Sequence, residues 1–253
     1  TDAGNVQTRA VRDGDDYVIT GTKRFISGSP FADYAVLMAS TATHDDPDPK
    51  KREVTAFFVD LHAPGVRVES GYKTMAGQTS TGNIVLDGAR VPAANLIGEP
   101  GRGLALALGR ISVNRLLHCP AMLGLAQVAL RDARDYAQRR HQFGRAIGQF
   151  QAIQHMLADM ATEWAAARGL MLATARAIDA GAEPRAESSM AKLFCSEAAF
   201  RIADRAVQIF GGAGIVQGRR VEFLFRMLRM YRVLTGTSEI QRNTIAKELL
   251  ASP

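Results

Sequence analysis

Short runs that alternate between apolar and polar residues dominate roughly the first 95 residues of the chain. Residues 7–12 and 17–20 alternate in this way on either side of a turn-forming Asp-Gly-Asp-Asp stretch, which predicts a β-hairpin. More strand-like runs follow at residues 35–39, 55–60, 66–69 and 83–86. A polar stretch at residues 42–52 predicts a loop between two of these strands. We therefore expect an antiparallel β-unit in this part of the chain.

The hydrophobic period changes beyond a junction rich in glycine and proline at residues 92–103. From there the apolar positions follow the helical period. They predict five helices at about residues 102–140, 150–181, 185–211, 219–233 and 237–250. Pro120 falls inside the first of these and is expected to kink or split it. Strands followed by helices predict an α+β fold and not a parallel α/β fold.

Composition and charge narrow the class of partner. The 253 residues are 47% hydrophobic, which is enough for one or two domains with a sizeable core. The net charge of +6 favours acidic partners, but the arginines are spread through amphipathic helices and not interleaved with aromatic residues. An acidic small molecule such as a nucleotide cofactor or coenzyme A is therefore favoured over nucleic acid.

Several kinds of segment and site are not expected. No run of about 18 apolar residues indicates a membrane span. The first residues show no signal peptide, which is either absent or lost with an upstream segment. Cys119 and Cys195 are far apart and lack metal-ligand spacing, so we expect two buried thiols in a reducing compartment and no metal site.

Two stretches of the helical part fit either anion binding or an ordinary structural role. Residues 211–214 read Gly-Gly-Ala-Gly, which allows backbone N–H groups to approach a phosphate, or makes a simple turn between helices. The stretch follows a predicted helix, so it is not a dinucleotide-binding fingerprint. The arginines of residues 139–145 either cap the first helix or hold a pyrophosphate.

Three further stretches place polar side chains where they could either contact a ligand or have an ordinary structural role. At residues 25–27 an aromatic ring lies near a hydroxyl, so the triplet could contact a flat ligand ring or be half-buried strand and turn. Residues 237–242 are typical of a helix capping box, which leaves room for a ligand contact at the same helix start. His118 lies in an apolar helix, where a histidine satisfied within the core is the ordinary interpretation.

These stretches occur together in an order that resembles the acyl-CoA dehydrogenase family. The match runs over essentially the whole chain, and several motifs in fixed order are more specific than any one of them. The motifs are KRFIS at 23–27, RVPAANLIGE at 90–99, YAQRRHQFGRAI at 136–147, FQAIQ at 150–154, LADM at 157–160, QIFGG at 208–212 and GTSEIQR at 236–242. The third is close to the family pattern YA-x-x-R-x-QFG-x-x-I.

The resemblance implies a fold, a cofactor and partners. The fold is an antiparallel, barrel-like β-domain over residues 1–98 followed by a four-helix bundle over residues 99–253. The cofactor is FAD, the substrate is an acyl-CoA thioester, and the electron acceptor is an electron-transfer flavoprotein. The family forms homo- or hetero-oligomers, dimers or tetramers, in a bacterial cytoplasm or the mitochondrial matrix.

The resemblance also assigns site residues by their match to family motifs. The flavin side would be Phe25, Ile26 and Ser27. Further cofactor contacts would be Arg140, Gln142, Gln151, Gln208, Gly211, Gly212, Thr237 and Glu239, of which Arg140 and Gln142 match residues that hold the pyrophosphate of a neighbouring subunit's FAD. Positions near the thioester would be Asn5, Asn114 and Arg115.

Two departures from the family pattern matter. The chain begins inside a flavin-contacting loop that the family places after an N-terminal helical domain, which indicates a fragment or a part carried elsewhere. The second departure is the catalytic glutamate, which the family carries at the position of Thr235 or, in a minority, of Asn114. Neither threonine nor asparagine is a useful base. Glu239 matches a cofactor contact, and His118 lies one turn beyond Asn114 and could titrate near neutrality.

Three functions remain open. The first is oxidation of an acyl-CoA to the 2,3-enoyl-CoA, with the base unrecognised or supplied by a partner chain or a missing segment. The second is a non-catalytic subunit that completes the cofactor site of a partner. The third is a flavin oxidase or monooxygenase on the same fold, since fold alone does not rank these chemistries. Of the possible outcomes we favour two: the base comes from a partner chain or a missing segment, or no dehydrogenation takes place at this site.

Overall fold

The computed structural model describes residues 2–42, 53–183 and 185–251 of the chain. Most of the polar loop expected at residues 42–52 lies outside the described residues. The chain forms two compact units, Thr1–Arg110 and Ile111–Pro253, and each is considered by itself. The division expected between residues 98 and 99 stays a prediction.

The first unit is built on one seven-stranded sheet. Its strands are β1 (Arg9–Asp13), β2 (Asp16–Ser27), β3 (Tyr34–Ser40), β4 (Val54–Asp60), β5 (Val66–Val68), β6 (Thr81–Pro92) and β7 (Leu96–Ile97). Their order across the sheet is β5-β6-β2-β1-β3-β4-β7. Over the described residues the two ends of the sheet do not pair, so the expected barrel-like form is not confirmed. The pairs are antiparallel as expected, except that β1 and β3 meet in parallel.

Alternation along the strands places one set of side chains in a common core. The β1–β2 hairpin forms as predicted, with Ala10 opposite Ile19, and both side chains are buried. Phe57 on β4 is fully buried, and the ring of Tyr17 packs against it edge-on at 4.9 Å. Successive strand residues point to opposite faces of a sheet, and in β4 four consecutive residues, 54–57, are buried, so this strand is covered on both faces.

The helical part of the chain confirms the predicted helices to within a few residues. They are α1 (Gly103–Arg139), α2 (Gln151–Asp179), α3 (Arg185–Phe210), α4 (Arg220–Tyr231) and α5 (Ser238–Ala251). A short hairpin, β8 (His141–Gln142) and β9 (Arg145–Ala146), lies between α1 and α2. Among the described residues the helices are thus three long and two shorter ones.

α1 runs unbroken through Pro120, so the proline does not split the helix, and a kink there stays a prediction. The ring removes one backbone donor. The turns around it are nevertheless held by Leu116, Cys119, Met122 and Leu123, which are buried in the core of the helical unit. Packing of this apolar face therefore outweighs the local cost of the proline.

Small residues line the contact between the long helices. Buried alanines recur on α1 and on α3, and small side chains let helix axes approach closely. Cys119 and Cys195 are both buried as free thiols, as expected. Within the described residues, no helix combines the length and the apolar composition that crossing a membrane would need.

Candidate cofactor and substrate site

Phe25 lies at a bulge near the end of β2. The pairing of β2 with β6 shifts register between Lys23 and Ile26, and Phe25 has a φ of 57°. Its N–H donates to Asn83 Oδ1 at 3.3 Å, and its side chain is 61% exposed. A bulge of this kind re-aims a side chain, so the aromatic ring is presented to the outside of the unit, with Ser27 also exposed two residues later.

Asn83 organises the surroundings of this ring. Its amide donates to Glu69 Oε2 at 2.7 Å and to the Tyr72 hydroxyl at 2.8 Å. The Tyr72 ring lies 4.8 Å from that of Phe25. Hydrogen bonds from Asn83 and Arg67 lower the pKa of Glu69. Sequence reasoning missed Asn83 and Tyr72, since nothing in a strand pattern shows which polar residue will support a bulge.

The structure separates the two roles left open for the arginines after α1. Arg139 Nε donates to the carbonyl of Asp135 at 3.1 Å, so this residue caps the helix. Arg140 is exposed, and in the described part of the chain its guanidinium has no hydrogen bond or ion pair. Its donors are therefore available to a ligand or to a neighbouring chain.

A tight hairpin follows Arg140. Phe143 and Gly144 have φ values of 52° and 77°, which is typical of the type I′ turn that joins two-residue hairpins. Phe143 is 94% exposed, and Gln142 beside it is exposed too. The sequence motif contained Phe143, but its exposure follows from a backbone conformation that the motif does not reveal.

The glycine stretch after α3 forms a short 3-10 helix at Gly211–Ile215. Among the described residues, nothing lies within 4 Å of where a Cβ would stand at Gly211 or Gly212. This edge is open, and Gln208 before it is exposed, as is Gln151 at the start of α2. The backbone here can be approached closely by a group from outside the chain.

The connection between α4 and α5 is held by two buried side chains. Lys192 Nζ donates to the carbonyls of Tyr231 at 2.9 Å and of Gly236 at 2.8 Å. Gln241 Nε2 donates to the carbonyls of Thr235 at 3.2 Å and of Gly236 at 3.0 Å. The two amphipathic side chains thus satisfy three carbonyls of one short loop.

Thr235 adopts a strained conformation within this loop. Its φ is 53°, which for a β-branched residue costs on the order of 1–3 kcal/mol. Gly236 follows with a φ of 88°, and a Cβ there would lie 2.7 Å from Gln241 Nε2. The bonds from Lys192 and Gln241 hold the connection in this shape.

A hydrogen bond of 3.0 Å joins Thr235 Oγ1 to His118 Nδ1 on α1. Asn114 lies one turn before His118, so both belong to one face of the helix. The ring of Tyr231 packs edge-on against His118 at 6.1 Å. The structure thus brings Thr235 to the turn of α1 that carries Asn114 and His118.

Positive charge dominates the interior beside this pair. Arg115 is buried, its Nη1 donates to Ser189 Oγ at 3.0 Å, and its Nε has no partner among the described residues. Burial lowers the pKa of Lys192 to about 8. Burial first, and then the charge of Lys192, lower the pKa of His118 below its usual 6.5, so the imidazole is neutral at pH 7.

The start of α5 confirms only half of the expected capping box. The N–H of Ile240 donates to Thr237 Oγ1 at 3.3 Å, so Thr237 caps the helix. Hydrogen bonds from its own N–H and from Thr237 lower the pKa of Glu239. The residue three positions after Thr237 is Ile240, which has no polar side chain to reach back, so the box is not completed.

Asn5 lies in the first unit, where Gln7 Nε2 donates to its side chain at 2.5 Å. Asn114 and Arg115 belong to the second unit. Within the described ranges, no group of three or more histidine, cysteine, aspartate or glutamate side chains could hold a metal ion.

We predict that Lys192→Met changes how stability depends on pH. The folded protein releases the Lys192 proton near pH 8, whereas the unfolded chain holds it to about 10.5. The unfolded state therefore binds more protons between these values, and the stability of the wild type rises with pH. Relative to Lys192→Met, it should gain roughly 1–3 kcal/mol between pH 7 and 10.

Urea unfolding across this pH range measures the difference between wild type and variant. Lys247→Met is the matched control, because Lys247 is exposed on α5 and its removal should give no such trend. A difference between wild type and Lys192→Met that stays constant from pH 7 to 10 would contradict the prediction.

Two models of known protein families match this chain. Residues 1–89 match the middle domain of acyl-CoA dehydrogenase, and residues 101–250 match its C-terminal domain. The chain is 39% identical over 251 residues to the probable acyl-CoA dehydrogenase YngJ of Bacillus subtilis. It is 38% identical over 251 residues to the caffeyl-CoA reductase-Etf complex subunit CarC of Acetobacterium woodii. Each alignment covers 99% of this chain and 65% of the relative.

Solved structures agree with the sequence matches. The acyl-CoA dehydrogenase of Geobacillus kaustophilus superposes with a TM-score of 0.94 at 30% identity, covering 98% of this chain and 65% of that one. The chain therefore spans about two thirds of the length of the relatives it matches. With both family models matched in order along it, the chain belongs to the acyl-CoA dehydrogenase family.

Proposed function

We propose that this chain is a subunit of an FAD-dependent acyl-CoA dehydrogenase that oxidises an acyl-CoA thioester between carbons 2 and 3. The observation that carries the proposal is the exposed guanidinium of Arg140, which lies at one of the family's cofactor positions and has no hydrogen bond or ion pair among the described residues. Here Arg139 supplies the helix cap, and Arg140 is left for another role.

The residues present fit FAD. Its pyrophosphate is an anion, and the exposed Arg140, Gln142, Gln151 and Gln208 together with the open edge at 211–212 are donors suited to it. In the first unit, the exposed Phe25 ring and the Ser27 hydroxyl suit a flat, polar-edged ring system, with Ile26 between them. When bound, FAD would supply the hydride acceptor of the reaction. Thr237 and Glu239 would add contacts at the start of α5.

Substrate and partner contacts follow from the same family positions. Asn5, Asn114 and Arg115 would lie near the thioester, with Arg115 acting mainly through the loop at Thr235 because its guanidinium is buried. The electron acceptor would be an electron-transfer flavoprotein, in keeping with one relative that is named as part of a complex with Etf.

A second candidate function is a non-catalytic subunit that completes the cofactor site of a partner. The observation in its favour is that neither family position for the base holds a carboxylate. Thr235 and Asn114 occupy them, and the interior beside Thr235 carries buried cations.

We predict that Arg140→Ala weakens FAD binding by about 10- to 100-fold. A charge-assisted bond to phosphate is worth roughly 1.5–3 kcal/mol, and about 1.4 kcal/mol is tenfold in affinity. Arg140→Lys should restore only part, because lysine lacks the fork-shaped set of donors. Calorimetric titration of FAD into the flavin-stripped full-length protein measures the change. Arg139→Ala, which removes the helix cap, should leave the affinity within a few-fold, and an equal loss in both variants would mean that Arg140 acts structurally.

We also predict that full FAD occupancy requires more than one chain. In the described part of the chain the exposed side chains of Arg140 and Gln208 have no partner, and Gln142 donates only to the carbonyl of the adjacent His141 at 2.7 Å. The family uses such groups across a subunit interface. Size-exclusion chromatography of the full-length protein, with any co-expressed partner, should show flavin absorbance only in species larger than a monomer. A monomer with one FAD per chain would contradict this.

A further inference from the structure

The pair formed by His118 and Thr235 has the geometry of a proton-accepting site. Thr235 stands where most of the family carries its glutamate, and its hydroxyl is 3.0 Å from His118 Nδ1. Within the described residues, Nε2 of the same ring has no hydrogen-bond partner, and the side chain is only partly buried. His118 Nε2 is therefore available to bind a ligand.

The loop is built to keep this contact. A β-branched residue with a φ of 53° is unfavourable, and such strain persists only where the surroundings over-determine it. Lys192 and Gln241 provide this constraint through four hydrogen bonds to the carbonyls of Tyr231, Thr235 and Gly236. Strained residues held in this way cluster at functional sites.

The charges around His118 favour the form that can accept a proton. Lys192 faces it from α3, and Arg115 lies on its own helix. Tyr231 faces it from α4, and burial raises the pKa of that phenol, so it stays neutral up to pH 8. Gln241 from α5 is uncharged. Burial and the charge of Lys192 disfavour a positive charge on His118, so the ring is unprotonated at pH 7, while the carboxylates of Glu197 and Glu239 act on Lys192.

We infer that His118, oriented by Thr235, is the base that removes the proton from carbon 2 of the acyl-CoA in this subunit, in place of the family's glutamate. The inference rests on the proposed function. Nδ1–H donates to Thr235 Oγ1, which leaves the lone pair of Nε2 exposed. Nε2 takes the proton, the C–H bond breaks, and its electron pair moves into the thioester carbonyl as an enolate. Return of a proton from the imidazolium reverses the step, so exchange with solvent needs no oxidant.

Hydrogen exchange at carbon 2 tests this step apart from the overall oxidation. The flavin-loaded full-length protein is incubated in D2O with whichever of butyryl-, octanoyl- and palmitoyl-CoA it binds most tightly, and deuterium uptake is followed by mass spectrometry. His118→Gln, which keeps a polar side chain but cannot act as a base, should lose at least about 100-fold in exchange rate. His155→Gln, the same change at an exposed position of α2, should not change the rate.

Thr235 variants separate orientation from folding. Thr235→Ser keeps the hydroxyl and relieves the β-branched strain, so it should exchange within about threefold of wild type. Thr235→Val keeps the shape but loses the acceptor for Nδ1–H, so it should lose about tenfold. The exchange rate of the wild type should rise with pH through a midpoint below pH 6.5 and then level off, because burial and Lys192 lower the pKa of His118.

Nitrogen NMR of the labelled histidines gives a readout that does not depend on the substrate. His118 should be the Nδ1–H tautomer in the wild type and in Thr235→Ser, and should lose this preference in Thr235→Val. An Nε2–H tautomer in the wild type, or exchange unaffected by His118→Gln, would overturn the inference. Tight acyl-CoA binding without exchange would also overturn it, while the family's binding function would stand. If none of the thioesters binds, the proposed function itself fails.

Discussion

A buried ammonium group fixes the part of the molecule on which the site depends. Lys192 is fully buried in the helical unit, and its Nζ joins the end of α4 to the loop before α5. Taking a charge out of water is costly, and the lowered pKa of Lys192 reflects that cost. Without Lys192 the Tyr231 carbonyl would lose its side-chain donor, and the Gly236 carbonyl would keep only the bond from Gln241. An unsatisfied buried acceptor costs about 1–3 kcal/mol. Lys192 and Gln241 together therefore set the loop geometry that Thr235 and Gly236 require.

The same charge shapes the chemistry at the loop. A carboxylate at position 235 would lie among Lys192, Arg115 and His118, and cations depress the pKa of a neighbouring acid and weaken it as a base. Cations lower the pKa of an imidazolium as well, so His118 is unprotonated at pH 7 but is a weaker base than a free imidazole. The same charges thus weaken either kind of base, and what favours His118 is its hydrogen bond to Thr235. Thr235 has a hydroxyl where most of the family has a carboxylate, and His118 lies on the facing helix. The two observations are consistent with one another.

Much of the fold could be predicted because periodicity reports burial directly. The β1–β2 hairpin and all five helices follow from alternation and from the helical period. Pro120 does not split α1, because tertiary packing outweighs the local penalty. The barrel-like form was not confirmed, since closure depends on pairing between strands far apart in sequence. For the candidate site, motifs located Phe25, Arg140 and Thr235, but their geometry depends on positive φ values and contacts that no pattern encodes.

Pairing within the chain distinguishes structural residues from those free to bind. Arg139 and Thr237 satisfy backbone groups at helix ends, so their positions are explained by stability. Phe143 at the tip of its hairpin is almost fully exposed to solvent, and its ring makes an edge contact with that of Phe150. An aromatic residue so exposed is costly in water, and a strained turn that presents it adds to that cost. A surface that covered the ring would offset this cost. Arg140 and Phe143 belong to one short motif and are both exposed, so the FAD and the second chain proposed above would give a partner to both groups at once.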